Sequence, residues 1–172
     1  MQIKTYRAFS LKQKSLYQEI LNLTMPVGET YPAYVKWYRQ TFLKGLQQGE
    51  RGIITASDQG RLLGVALFKD TVAEKKLCTL FVHPDFRKKG IASHLLKVVI
   101  QELGEKPLVS VSENNLPQVE SLFQKMGFGL SAHIKGAYRS ERTEYYFNDK
   151  KQNAIQKGLI PVLLKRMRQL KK

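Results

Sequence analysis

The stretch that decides the fold is HPDFRKKGIASHLL, residues 83–96. A short apolar run ends just before it, three cations follow, and a helix-like apolar pattern begins after Gly90. The first turn of a helix is already electropositive, so Arg87, Lys88 and Lys89 oppose the helix dipole unless an anion lies beside them. Backbone N–H groups at a helix N-terminus bind phosphate, and a glycine lets a ligand approach the backbone closely. The stretch therefore predicts a site for a phosphate-bearing ligand.

The composition is typical of a soluble globular protein. With 172 residues, 42% hydrophobic and 25% charged, the chain is long enough for one domain with a sizeable core. The single cysteine, Cys78, excludes an intrachain disulfide and is interpreted as a small core residue in a reducing compartment. The N-terminus lacks a signal-peptide core and no run approaches the ~20 apolar residues of a membrane span, so we expect a cytoplasmic protein. No grouping of His, Cys, Asp and Glu has metal-ligand spacing, so we expect no metal.

The net charge of +15 is large for this length and favours anionic partners. Residues 150–172 contribute eight Lys and Arg and no acid. We therefore predict a domain over residues 1–148 and a basic, helical tail over residues 149–172. The tail could dock on nucleic acid, on the ribosome or on an acidic protein, or it could form a homodimer contact, pack on the domain or stay solvated.

The apolar patterns predict the element order strand, two helices, three strands, helix, strand, helix and two strands. The predicted helices include residues 89–102, and Leu11 is assigned to the apolar face of the first helix. The order gives an α/β (α+β) fold with a mixed sheet of about six to seven strands flanked by helices.

The segment Arg87-Lys88-Lys89-Gly90-Ile91-Ala92 resembles the R/Q-x-x-G-x-G/A motif of the GCN5-related N-acetyltransferases (GNATs), which binds the pyrophosphate of acetyl-CoA. Three further segments agree with the family: LFVHPDF (80–86), LVSVSENN (108–115) and LFQKMGF (122–128). The resemblance covers about residues 50–147. It implies the mostly antiparallel, twisted sheet of this acyl-CoA N-acyltransferase family.

The resemblance also implies an enzyme that moves an acetyl group from acetyl-CoA to a primary amine of a small molecule or peptide. Strand backbone at residues 80–82 would hold the pantetheine arm, and a splay between this strand and LVSVS would form the acyl slot. An asparagine in the following turn would bind the pantetheine or the thioester. The residues expected to bind the cofactor are Leu80, Phe81, Val82, Arg87, Lys88, Lys89, Gly90, Ile91, Ala92, Ser93, Asn114, Asn115 and Phe123.

Two departures from the family pattern leave the catalytic residues unassigned. Many members carry a tyrosine at the position of Phe123, where it protonates the departing thiolate, and a phenyl ring has no ionisable proton. Phe123 would then pack on the CoA arm or in the core. Some members also carry a glutamate base where this strand has Ser110 and Ser112. The weak candidates that remain for acid or base are Glu74, Glu113, Tyr138 and Tyr145.

These departures keep a second hypothesis open, an acyl-CoA-binding regulatory module with little or no transferase activity. The acceptor side is equally open. The resemblance implies that the region of the two leading helices forms one wall of the acceptor site. The aromatic residues there could bind an amine, and they are Tyr31, Tyr34, Trp37 and Tyr38. Trp37 and Tyr38 could instead belong to the core.

Overall fold

The computed structural model describes residues 1–149. The predicted order of strands is confirmed, as are the two helices after the fourth and fifth strands. Between the first two strands the structure has four helical segments where two helices were predicted, because a short extra helix lies at Val27–Thr30 and a π-helical turn divides the second predicted helix. Short 3₁₀ turns precede the first helix and follow the fourth strand. The strands are β1 (Gln2–Tyr6), β2 (Arg51–Asp58), β3 (Arg61–Asp70), β4 (Lys75–Val82), β5 (Leu108–Ser112), β6 (Leu130–Lys135) and β7 (Thr143–Phe147). The helices are α1 (Lys14–Thr24), α2 (Val27–Thr30), α3 (Tyr34–Trp37), α4 (Leu43–Gln47), α5 (Ile91–Leu103) and α6 (Leu116–Lys125).

The strands form a seven-stranded sheet in the order β1-β2-β3-β4-β5-β7-β6. The pairs β1–β2, β2–β3, β3–β4 and β6–β7 are antiparallel, and β4–β5 is parallel. The predicted mixed, mostly antiparallel sheet with flanking helices is confirmed.

The chain divides into two compact units, Met1–Ser110 and a second that begins at Val111. The predicted boundary between a domain and a basic tail falls at the last described residues. The tail itself lies outside the described part of the chain, so its helix and its partners stay predictions. Within residues 1–149, no helix is both long and apolar enough to cross a membrane.

In the first unit, the helices before β2 pack on the sheet through a largely aromatic core. Tyr17 and Ile20 of α1 contribute to it, and Tyr38 donates a hydrogen bond from its hydroxyl to the Tyr17 carbonyl at 2.9 Å. The Tyr38 and Phe42 rings stack at 5.7 Å within a π-helical turn that joins α3 to α4. The prediction for Leu11 is wrong: its side chain is 78% exposed, because a 3₁₀ turn there rotates it off the face that α1 buries.

A close approach at Gly64 sets the end of β4 against the start of α5. A Cβ added to Gly64 would lie 3.0 Å from the Phe81 carbonyl oxygen, 3.2 Å from Val82 and 3.3 Å from Ile91. β3 is buried over most of its length between the helical layers, so its apolar run is continuous rather than alternating. The predicted helix at 89–102 begins two residues later, at Ile91.

The second unit has a core of three phenylalanines. The Phe123 ring lies 5.3 Å from that of Phe128 and 5.1 Å from that of Phe147. Phe123 comes from α6, and Phe147 ends β7, so these contacts fix the helix on the β6–β7 hairpin of its own unit.

Candidate functional site

A β-bulge interrupts β4 at Cys78. The antiparallel register pairs Leu67 with Thr79 and then Phe68 with Leu77, so Cys78 is an extra residue on β4. A bulge turns neighbouring side chains toward one face of a sheet and bends the strand.

Beside the bulge, β4 pairs with β5 over a short stretch. Their parallel register consists of Lys76 with Leu108 and Leu77 with Val109, whereas β4 continues to Val82. The last of these pairs is Leu77 with Val109, and β4 continues for five residues beyond Leu77. These five residues include 80–82, the predicted pantetheine residues. The splay that would form an acyl slot stays a prediction.

The turn after β4 is held by its own side chains. The His83 N–H donates to the Leu63 carbonyl at 2.8 Å, and His83 Nδ1 accepts a hydrogen bond from the Asp85 N–H at 3.3 Å. The imidazole therefore caps the 3₁₀ turn Pro84–Phe86. Arg87 donates from Nε to the Val82 carbonyl at 3.2 Å, and its guanidinium lies over the Phe81 ring. Arg87 thus ties the turn back to the strand.

Helix α5 begins with free backbone donors. Gly90 has φ +80°, and its carbonyl accepts the first helical hydrogen bond, from His94 N–H at 3.0 Å. The N–H groups of Ile91, Ala92 and Ser93 precede that bond and have no partner inside the helix. A Cβ added at Gly90 would meet nothing within 4 Å. The glycine is required for its positive φ, and the space in front of it is open to a ligand.

Two cations share one aromatic ring beside this helix end. The Arg61 guanidinium lies 4.8 Å from the centre of the Phe86 ring, and Lys89 Nζ lies 5.1 Å from it. The Asp85 carboxylate is 3.7 Å from Arg61. One carboxylate against two clustered cations, with Lys88 next in the chain, leaves a positive patch at the N-terminus of α5.

Arg61 was missed by sequence reasoning, because it lies far from the motif in the chain. One signal could have found it. The first residue of β3 lies beside the end of β4 in any antiparallel β3–β4 pair, so a cation at the start of β3 belongs next to the turn after β4.

The candidate base in the first unit is Glu74. Its carboxylate lies 3.0 Å from Lys69 Nζ and its backbone N–H bonds to Thr71. This is a paired carboxylate at a strand end.

The other predicted site residues belong to the second unit. The Glu113 N–H donates to the Thr143 carbonyl at 2.9 Å, and Asn114 is exposed beside it. Asn115 occupies the N-cap position of α6, and its N–H donates to the Ser112 carbonyl at 2.9 Å. Phe123 is 2% exposed, which favours its packing role over contact with a ligand.

The two tyrosine candidates lie on the β6–β7 hairpin. Tyr138 is in the connecting turn and is 54% exposed. Tyr145 lies on β7, with its ring 6.0 Å from that of His133. Their assignment as proton donors stays a prediction.

A family model described as the acetyltransferase (GNAT) domain matches residues 12–134. The chain belongs to the GNAT acetyltransferase family. This GNAT chain is also 31% identical over 138 residues to UPF0157 protein YqkA of Bacillus subtilis (strain 168), a match that covers 73% of this chain and 38% of that protein. The match thus spans less than half the length of that curated relative.

Solved structures agree with the GNAT fold. An acetyltransferase of the GNAT family from Bacillus cereus matches 86% of this chain and 96% of its own with a TM-score of 0.60 and 16% identity. An aminoglycoside 6'-N-acetyltransferase complexed with coenzyme A matches 86% and 95% with a TM-score of 0.65 and 15% identity. The ribosomal-protein-S18-alanine N-acetyltransferase of Escherichia coli matches 85% and 92% with a TM-score of 0.58 and 14% identity. At these identities, the likeness concerns the fold alone.

Proposed function

We propose that this GNAT chain is an acetyl-CoA-dependent N-acetyltransferase that acts on a primary amine of a small molecule or peptide. The observation that carries the proposal is the turn after β4, where free N–H groups, open space at Gly90 and unbalanced positive charge coincide. Structural neighbours were crystallised with coenzyme A or acetyl-CoA, which supports the choice of cofactor.

In the proposed complex, the N–H groups of Ile91, Ala92 and Ser93 donate to the pyrophosphate, as at other helix N-termini. Lys89 and Arg61 balance its charge, because Phe86 already holds both cations near the helix end. Arg87 has a different role. Its bond to Val82 shapes the turn, and it neighbours the phosphate without being its main partner.

Acetyl-CoA, when bound, supplies an acetyl group activated as a thioester. The separated edge of β4 offers backbone N–H groups that can polarise the thioester carbonyl, since the parallel register with β5 reaches only Leu77. The attacking amine must be uncharged, because a protonated amine has no free electron pair.

The test is a titration of CoA followed by a turnover assay. Calorimetry of the full chain with CoA should show binding, and acetyl-CoA with a panel of amines should release free thiol at a rate above buffer. Binding of CoA with no turnover on any amine would contradict the proposed activity, and absence of CoA binding would contradict the assignment of the turn.

A second candidate is the acyl-CoA-binding regulatory module, which Phe123 favours. Its ring packs between Phe128 and Phe147 and provides no proton for the thiolate. The variant Phe123→Tyr distinguishes the two candidates. If the wild-type chain is inert and the variant turns over acetyl-CoA, the regulatory module is supported, whereas robust wild-type turnover rules it out.

The variant has a folding control. A hydroxyl added to this buried cluster would lack a partner among the three rings and would cost about 1–3 kcal/mol of unfolding free energy. Its melting temperature must therefore be measured with its activity.

The basic tail keeps its separate prediction. A chain truncated after Asp149 should lose salt-sensitive retention on RNA if the tail docks on nucleic acid, and it should change its elution volume if the tail forms a homodimer contact. Unchanged retention and elution would remove both interpretations.

A further inference from the structure

A cavity lies between α1 and the face of the sheet that α1 covers. Its volume is about 360 Å³, and its lining residues all belong to the first unit. The strands contribute Lys4 and Thr55 to its walls, and α1 contributes Leu16 and Glu19. This volume is large enough to hold a small organic molecule.

The positions of these residues explain why they share one cavity. Lys4 of β1 pairs with Thr55 of β2 in the antiparallel ladder, and directly paired side chains lie on the same face of a sheet. Leu16 and Glu19 are three residues apart on α1, so they are neighbours on one face of the helix. The strand wall therefore carries a lysine and the helix wall carries a glutamate.

The two opposite charges of the cavity are not paired with each other. Among residues 1–149, neither Lys4 nor Glu19 forms an ion pair. The other carboxylate of the lining, Asp58, is already bound to the Met1 amine at 2.9 Å. Lys4 and Glu19 are therefore available to a ligand that carries both a negative and a positive charge.

The rest of the lining offers apolar surface and a hydroxyl. Leu62 is 6% exposed and packs in the core cluster beneath α1, where Tyr6 and Leu16 adjoin it. Thr55 is 3% exposed, so it lies on the inner side of the cavity. Apolar surface with a few polar groups that fix orientation is typical of small-molecule sites.

The cavity and the phosphate turn lie on opposite faces of the sheet. Arg61 and Leu62 are consecutive residues of β3, and consecutive side chains of a strand point to opposite faces. Arg61 lies over Phe86 beside the phosphate turn, whereas Leu62 lines the cavity. A ligand in the cavity would therefore not compete with the phosphates of CoA.

We propose that this cavity binds a small zwitterion, an α-amino acid with an apolar side chain, at a site separate from the CoA turn. The Lys4 ammonium donates to the ligand carboxylate, and the ligand ammonium donates to the Glu19 carboxylate. The ligand side chain packs on Leu62 and Tyr6. The site goes beyond the proposed function, which needs no ligand there.

The first test is calorimetric titration of the full chain in the absence of acetyl-CoA. The probes are L-leucine, leucinamide, which lacks the carboxylate, and N-acetylleucine, which lacks the charged amine. Leucine should bind about tenfold more tightly than either analogue, because each analogue loses one charge-assisted contact. Saturating CoA should leave the dissociation constant of leucine unchanged. Similar affinities for the three probes, displacement of leucine by CoA, or no leucine binding up to about 10 mM would overturn the proposal.

The second test assigns each charge of the ligand to its partner in the cavity. Lys4→Gln should weaken leucine binding about tenfold and leave leucinamide binding unchanged, because leucinamide has no carboxylate. Glu19→Gln should weaken leucine binding about tenfold and leave N-acetylleucine binding unchanged, because N-acetylleucine has no ammonium group. Both side chains are exposed, so the melting temperature should change little in either variant.

The matched controls are Lys14→Gln and Glu50→Gln, which change exposed residues that do not line the cavity. They should leave the affinity for every probe unchanged. If Lys4→Gln and Glu19→Gln behave like these controls, the cavity is not the leucine site and the proposal is wrong. These measurements use no turnover, so their failure leaves the proposed transferase standing.

One turnover measurement separates this site from the acceptor site. Leucine incubated with the chain and acetyl-CoA should give no N-acetylleucine whose formation depends on Lys4. Formation of N-acetylleucine that Lys4→Gln abolishes would place the acetylated amine in the cavity. That result would overturn the separate site and support the proposed function.

Discussion

The turn after β4 and the bulge inside β4 are neighbours in the chain, yet their chemistry is opposite. The turn is exposed, cationic and rich in free backbone donors, with Lys89 and Arg61 gathered around Phe86. The bulge side is buried, with Tyr34 and Thr79 only 5% and 6% exposed. A polyanion needs charge and backbone donors that solvent can reach. The packed side of the bulge gives a polyanion no such access.

The largest predicted effect is on CoA binding, and it follows from a substitution of Gly90 in the turn after β4. Gly90→Val should weaken CoA binding by about 100-fold, or about 2.7 kcal/mol, because the side chain fills the open space before the helix donors. Calorimetric titration with CoA measures the change.

Gly104→Val is the matched control, because Gly104 lies at the other end of α5 with φ +69° and equally open space. Both variants should lose about 1–2 kcal/mol of stability from the left-handed conformation. Equal CoA affinity in the two variants would contradict the site.

A smaller effect should distinguish the roles of three cations near the turn, Arg61, Arg87 and Lys89. Arg61→Gln and Lys89→Gln should each weaken CoA binding about five- to tenfold at low salt, with less loss at high salt, and with little change in melting temperature. Arg87→Gln should instead lower the unfolding free energy by about 1 kcal/mol, since Arg87 bonds Val82 and covers Phe81.

The control for this series is Lys97→Gln, an exposed cation farther along α5. It should change neither affinity nor stability. If Arg61→Gln behaved like this control, the start of β3 would play no part in phosphate binding.

The smallest predicted effect is on the pH dependence of stability, and it comes from Cys78 at the β4 bulge. Burial raises the pKa of the Cys78 thiol, with Arg51 opposing, so the folded chain holds this proton more tightly than the unfolded chain. Stability is therefore complete below the unfolded pKa of about 8.5 and falls as pH rises through the folded pKa.

Urea unfolding of the wild-type chain and of Cys78→Ala at about pH 7, 9 and 10 measures this contribution. Between about pH 7 and pH 10, the wild-type chain should lose more unfolding free energy than the variant. The expected difference between the two losses is about 1 kcal/mol or less. Parallel losses would show that the thiol is not buried in the folded state.

Much of the fold could be predicted from the sequence because the deciding signals are local. The order of strands and helices follows from apolar periodicity and from Gly and Pro punctuation, and the phosphate turn is one contiguous motif, residues 87–92. The interruptions of the second helix region could not be predicted in the same way, because the π turn at Tyr38–Phe42 depends on how those rings pack.

The same distinction between local sequence signals and tertiary packing applies to the candidate site. Sequence alone predicted a phosphate ligand at the start of α5, since a helix N-terminus, a glycine and nearby cations all lie within a few residues. Only the tertiary structure decided that Arg87 supports the strand while Arg61 joins Lys89, because Arg61 reaches the turn through antiparallel pairing of β3 with β4. Likewise, a single bulge residue brought Thr79 to Tyr34, and burial is a property of the packed chain that no short segment contains.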